Sequence, residues 1–222
     1  MNKMHSQLAK KDHLLSLCKD SSQELTFFDI GACEGESAID YKSKFPKAHI
    51  HLFEPLPDNM VLIKKHIQES GFTGLYPNET CLSDKEGLAE FFVSSGSPSN
   101  SELKDYTELD YWNKSSSLLA PGSIEEHYKW LEFKKKIQVS TTTLDLYCKE
   151  KKISGIDFIH MDVQGAELMV LNGAAAHMST IDLIWMEVSS LDIYKDQPLK
   201  KEVNDYMKRF GFFKALDIGD HV

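Results

Sequence analysis

Long apolar runs are missing from this 222-residue chain. None approaches the roughly 20 consecutive residues that a membrane-crossing helix needs, so no membrane span is expected. The first twenty residues, MNKMHSQLAKKDHLLSLCKD, interleave charges with apolar positions and lack the continuous apolar centre of a secretory signal. A soluble, cytoplasmic protein is the expectation. Cysteine is scarce: Cys18, Cys33, Cys81 and Cys148 lie far apart with no C-x-x-C pair. That argues against a zinc site and a disulfide framework, and for reduced thiols. The histidines form no H-E-x-x-H. Their one close pair, His49 and His51, falls on an expected strand, where residues two apart share a face.

Positive charge is also short. The formal net charge is −9, and the lysines occur singly or in brief runs such as Lys134–Lys136. A nucleic-acid binder usually presents a concentrated basic face, so nucleic acid is not expected as a partner. No internal repeat is evident. What the chain does have is 41% apolar residues and a length suited to one α/β domain.

Hydrophobic patterning supplies the order of elements. Residues 4–19 carry a helix-like stripe, and LTFFDI (25–30) reads as a strand. A helix from 36 to 45 is stopped by Pro46, and AHIHLFE (48–54) is the second strand. The next helix has Asp58 as its expected N-cap and Gly71 as its stop. A third strand is expected within 75–82 and another at 88–93, followed by a flexible serine-rich loop at 94–101. Strand, helix, strand, helix, strand and helix are then expected at 136–144, 144–152, 156–161, from 166, at 182–188 and over 198–210. Such alternation implies parallel βαβ units and a doubly wound, mostly parallel α/β sheet in a single domain spanning 1–222. Residues 85–140 break the rhythm and read as a cap inserted between the third and fourth core strands.

In an open parallel sheet, ligands bind beyond the carboxyl ends of the strands. The residues expected there are Asp29, Glu54, the Ser83-Asp84 turn, Asp162 and Glu187. Carboxylates gathered on one rim repel each other unless a ligand or partner offsets them. In DIGACEG, Gly31 and Gly35 flank a strand-to-helix turn where a ligand can approach the backbone. Cys33 occupies the place of the second glycine of a dinucleotide G-x-G-x-x-G, and no Gly-Lys-Ser/Thr ending marks a P-loop. Glu54, about 25 residues after Asp29, sits near the spacing of an acid that holds ribose hydroxyls. A cofactor without phosphates and with a cationic nucleoside suits that lining.

FFDIGACEG, HLFEPLPDNM, CLSDKEG, TTTLDLY, IDFIHMDVQGAELMVLNGA and IWMEV fall in the order and approximate spacing of FkbM-type methyltransferases. The resemblance covers about residues 25–190. It implies a class I, Rossmann-like fold, S-adenosyl-L-methionine as donor with S-adenosyl-L-homocysteine as product, and O-methylation of a sugar, glycan or related natural product. By position it implies that Asp29, Gly31, Ala32 and Gly35 turn around the methionine part of the cofactor. Glu54 would hold the ribose, Ser83 and Asp84 would lie beside the adenine, and Asp162 would face the methyl group and the acceptor. Cys33 stands where the family usually has asparagine. His160 and Gln164 stand where it commonly has lysine and glutamate. The family's closing antiparallel strand is not expected, so a free sheet edge would favour a homo-oligomer or completion by a longer parent chain.

An alcohol acceptor needs a base, for which Asp162, His160 and Glu187 are the candidates. No metal is expected. Tyr106, Tyr111, Trp112, Tyr128 and Trp130 of the insertion could stack on sugar rings or simply pack the cap. The rival reading is a catalytically silent binding module that docks a glycan or partner protein. A dehydrogenase is disfavoured by the missing glycine.

Overall fold

A strand buried on both faces has to be apolar along nearly its whole length. Phe27–Ile30 and Ile50–Phe53 meet that condition and are almost wholly buried. The computed structural model describes residues 3–96 and 113–219. In chain order these form α1 (Lys3–Cys18), β1 (Thr26–Ile30), α2 (Glu36–Lys44), β2 (His49–Phe53), α3 (Pro57–Ser70), β3 (Leu75–Asn78), β4 (Cys81–Leu82) and β5 (Gly87–Ser95). Then come α4 (Ile124–His127), β6 (Glu132–Thr142), α5 (Leu144–Lys151), β7 (Ile156–Met161), α6 (Glu167–Asn172), β8 (Ile181–Met186) and α7 (Lys200–Arg209).

The main sheet runs β3-β2-β1-β7-β8, and every pairing in it is parallel. The chain winds outward from β1 through β2 to β3, then returns to the other side of β1 for β7 and β8. The switch point therefore lies between β1 and β7, where such folds bind ligands. Register places Asp29 directly beside His160 there. One face of the sheet is packed by Leu15, Tyr41, Met60 and Ile63 from α1, α2 and α3. The other is packed by Leu144, Tyr147, Val170, Leu171 and Val203 from α5, α6 and α7.

The strand expected within 75–82 is two strands in different sheets. β3 pairs with β2, whereas β4 pairs with β6 in a second sheet of order β4-β6-β5. Between them Thr80 turns the chain, and its hydroxyl donates to the Ser140 carbonyl at 3.0 Å. The described residues of the 85–140 insertion thus form an antiparallel β5–β6 pair, with residues 113–131 folded beside it. Ile124, Leu131 and Tyr194 form a small separate core there, with Tyr128 and Trp130 packed on it. Those two aromatics serve packing. Tyr106, Tyr111 and Trp112, and most of the serine-rich stretch, lie outside the described residues.

One local expectation changes. Pro57 starts α3, so the N-cap is Leu56 and Asp58 lies in the first turn. Gly71 ends that helix in the left-handed region, as its position predicts. His49 and His51 share a face, and their Nδ1 atoms contact the Tyr76 and Tyr147 hydroxyls at 2.9 and 2.7 Å. Residues 211–219 contribute no strand, and among the described residues no helix is long and apolar enough to cross a membrane.

Candidate active site

The carboxyl ends of β1, β2 and β7 open into one cleft, lined among others by Asp29, Gly31, Ala32, Cys33, Glu54, His160 and Asp162. Its rim is held by main-chain contacts. Gly31 N–H and Ala32 N–H both donate to the Phe53 carbonyl at 3.0 Å, and Asp162 N–H donates to Ile30 at 2.9 Å. Gly31 has φ +80°, and a Cβ there would lie 1.9 Å from the Asp162 carbonyl oxygen. Only glycine fits both the conformation and the approach.

Burial leaves the polar groups of this rim poorly satisfied. Asp29 is 2% exposed, and its Oδ2 has no hydrogen-bond partner. Its Oδ1 lies 3.2 Å from His160 Nδ1, but the pair is not aligned as a hydrogen bond. The His160 ring stands edge-on to Tyr41 at 5.7 Å. An unpartnered buried carboxylate oxygen is costly, and a cationic ligand would satisfy it. Glu54 accepts from Cys33 N–H through Oε2 and from Leu56 N–H through Oε1, both at 2.9 Å. Burial pushes its carboxyl up to about 7, against the pull of those amides. The two backbone bonds and one from the Asn59 side chain leave one acceptor position on the carboxylate for a ligand hydroxyl. Beyond Glu54 the wall turns apolar, with Leu56, Cys81, Leu82, Phe91 and Leu118.

Residues 29–214 match the methyltransferase FkbM domain. The chain belongs to the FkbM methyltransferase family. It is 30% identical over 182 residues to 2-O-methyltransferase NoeI of Sinorhizobium fredii (strain NBRC 101917 / NGR234), spanning 82% of this chain and 70% of that protein. A likeness to the crystal structure of precorrin-6Y C5,15-methyltransferase from Geobacter metallireducens GS-15 is slight. It has 22% identity and a TM-score of 0.27, and covers 30% of this chain and 35% of that one.

In this FkbM methyltransferase not every residue expected at the site reaches the cleft. Asp29, Gly31, Ala32, Glu54, His160 and Asp162 do. Gly35 does not. It shapes the start of α2 at φ +80°, with its α-carbon facing Ile63 and Leu52. Ser83 and Asp84 also miss it. Ser83 is buried against Gly173, its hydroxyl donates to Asp84 at 3.2 Å, and Thr80, Cys81 and Leu82 line the wall instead. The cause is the chain's departure into the second sheet after Asn78, which carries 83–84 past the rim.

Glu187 stands just outside the lining, and its side chain hydrogen-bonds to Asp162. Two carboxyls in such contact hold at least one proton between them. Burial pushes the Asp162 carboxyl up, opposed by its hydrogen bond with Gln164, by His160 and by its hydrogen bond with Glu187. Surrounding protein and the charges of Asp162 and Glu167 push Glu187 up to about 8. The residue is exposed, so the neighbouring carboxylates are the cause that persists in contact with solvent.

Asn59 and Asn113 line the cleft without any signal in the sequence. Asn113 of the insertion donates to Asn59 Oδ1 at 2.7 Å, while its own buried Oδ1 has no partner. Asn59 in turn hydrogen-bonds to Glu54, so the insertion is tied to the acid at the end of β2. Cys33 and Gln164 are both held at positive φ, +51° and +52°, in a region that most side chains avoid. The Cys33 thiol, pushed up to about 12 by burial, stays protonated and is no nucleophile. Among the described residues no group of three or more His, Cys, Asp or Glu is arranged to hold a metal ion.

Proposed function

We propose that this methyltransferase uses S-adenosyl-L-methionine to methylate a hydroxyl of a sugar or glycan. The observation that carries the reading is the unpartnered Asp29 Oδ2, buried beside the glycine at which β1 and β7 nearly touch. A buried acceptor at the switch point calls for a cation, and the donor's amino group is one. Glu54 would take a ribose hydroxyl at its remaining acceptor position, and Leu56, Leu82 and Phe91 would take the base. The fit is to a nucleoside without phosphates, since carboxylates line the rim. The donor, when bound, supplies a methyl group on a positively charged sulfur.

The chain's own residues then align and deprotonate. Asp29, Gly31 and Glu54 fix one reactant, which can remove ~7–11 kcal/mol of a two-body barrier at the upper limit. The Asp162–Glu187 pair takes the acceptor's hydroxyl proton as that oxygen gains its new bond to carbon. A carboxyl raised toward neutrality is a stronger base than an ordinary one. The relative NoeI is named a 2-O-methyltransferase, which supports a hydroxyl acceptor.

Calorimetry with S-adenosylmethionine and S-adenosylhomocysteine tests the donor. Binding of both is expected, weakened roughly tenfold or more in Asp29→Asn through loss of a charged hydrogen bond. Binding of neither by the intact chain would sink the reading. Mass spectrometry of oligosaccharides incubated with the enzyme and donor then tests the acceptor class.

A further inference from the structure

Tyr194 is almost completely buried and has one hydroxyl proton but two hydrogen-bond contacts. Its oxygen lies 2.7 Å from the Ser115 carbonyl and 3.1 Å from the Gln164 carboxamide. The other end of that carboxamide lies 2.6 Å from Asp162 Oδ1. A main-chain carbonyl has no proton to give, so the shorter contact takes the tyrosine's. The Tyr194 oxygen must then accept, and the carboxamide end facing it has to be the NH2 group. The two ends of a carboxamide have the same shape, and hydrogen-bond balance decides between them. Gln164 thereby turns its carbonyl toward Asp162, and the 2.6 Å contact closes only if Asp162 carries a proton. That distance suits O–H···O better than N–H···O.

We infer that Tyr194 and Gln164 are positioning residues that hold Asp162 neutral, within a one-way hydrogen-bond chain running from Glu187 through Asp162, Gln164 and Tyr194 to the Ser115 carbonyl. Every donor on this path has an acceptor, and its direction is fixed by an end that can only accept. Glu187, the exposed end, is then the member of the pair that ionises. Asp29 from β1 and Glu167 from α6 would repel a charge on Asp162, while His160 on β7 and the hydrogen bond with Glu187 beyond β8 favour one. Tyr194 also approaches it, and Lys114 lines the same cleft. The strained backbone of Gln164 has its own anchor, since the Ser117 hydroxyl donates to the Gln164 carbonyl at 2.8 Å. Residues 115–117, the insertion's inner edge, thus set the state of a carboxyl on the opposite wall.

The role of the pair as base rests on the function proposed above; the protonation of Asp162 does not. Carbon-13 NMR of the aspartate carboxyls, with the Asp162 signal assigned through Asp162→Asn, reads it without donor or acceptor. In the wild type the Asp162 carboxyl should remain protonated at pH 6. In Tyr194→Phe, where Gln164 is free to turn its NH2 to Asp162, the midpoint should fall by about half to one pH unit, the worth of one hydrogen bond. A carboxyl already ionised at pH 6 in the wild type, or an unmoved midpoint in a folded Tyr194→Phe, overturns the inference. If that variant does not fold, nuclear Overhauser contacts in the wild type decide. Gln164 NH2 protons close to the Tyr194 ring support the chain, and their absence refutes it. Failure of the donor to bind would count against the function alone.

Discussion

Gly31→Ala tests whether the rim of the cleft is built backbone against backbone. The substitution carries two costs. A left-handed φ of +80° costs an alanine ~1–2 kcal/mol. The added carbon would also lie 1.9 Å from the Asp162 carbonyl oxygen, and no rotamer relieves a clash between main chains. The ends of β1 and β7 must part, which strains the Asp162 N–H to Ile30 bond and the paired bonds of Gly31 and Ala32 to Phe53. At ~1 kcal/mol for each of the three bonds weakened, the total reaches ~4–5 kcal/mol. Gly71→Ala is the control. It has φ +67°, but a Cβ added there would meet nothing within 4 Å, so it should cost only ~1–2 kcal/mol. Urea unfolding followed by tryptophan fluorescence gives both values, and calorimetry of S-adenosylmethionine binding gives the functional effect. Equal destabilisation by the two substitutions, with donor affinity intact in Gly31→Ala, would refute the close approach.

Three further outcomes are expected. The Glu54 carboxyl rises from an ordinary 4.5 to about 7 on folding, so the folded state holds the extra proton. Its contribution to stability is fully present below pH 4.5 and lost as pH rises through about 7. Glu54→Gln should therefore gain ~3 kcal/mol relative to wild type between those limits in pH-dependent unfolding, and parallel curves would contradict it. Maleimide at neutral pH should label Cys18, the exposed thiol, rapidly and spare Cys33, Cys81 and Cys148 until the chain is unfolded, as read by intact-mass spectrometry. Glu187→Gln should leave donor affinity near normal and lower methyl transfer at least tenfold, a loss of one general base; unchanged turnover would assign the proton elsewhere.

The central strands were legible because LTFFDI, AHIHLFE and IDFIHM are apolar enough to be buried on both faces, and nothing else in the chain competes with that reading. Asp29, Glu54 and Asp162 were legible for a related reason, since a parallel strand delivers its last residue to the rim. The errors fall where pairing changes partner. Residues 75–82 look like one strand, and no residue there announces that Leu75–Asn78 pairs with β2 while Cys81–Leu82 pairs with β6. The misplacement of Ser83 and Asp84 follows from that break. Tyr194 was illegible altogether. Its link to Gln164 spans 30 positions and exists only because residues 113–122 dock on the loop after β8, as in the Pro121–Tyr194 bridge.

The contact at Gly31 bears on how this enzyme can change over time. Where two main chains already meet, there is no side chain to enlarge, trim or recharge. The Gly31 end of the cleft is therefore closed to gradual variation. Among the described residues, the pieces laid over it that remain open to change are the 113–122 segment and the loop carrying Tyr194, and those two are bonded to each other. A lineage acquiring a new acceptor would have to alter both together, leaving paired substitutions across that junction as the trace of specialisation.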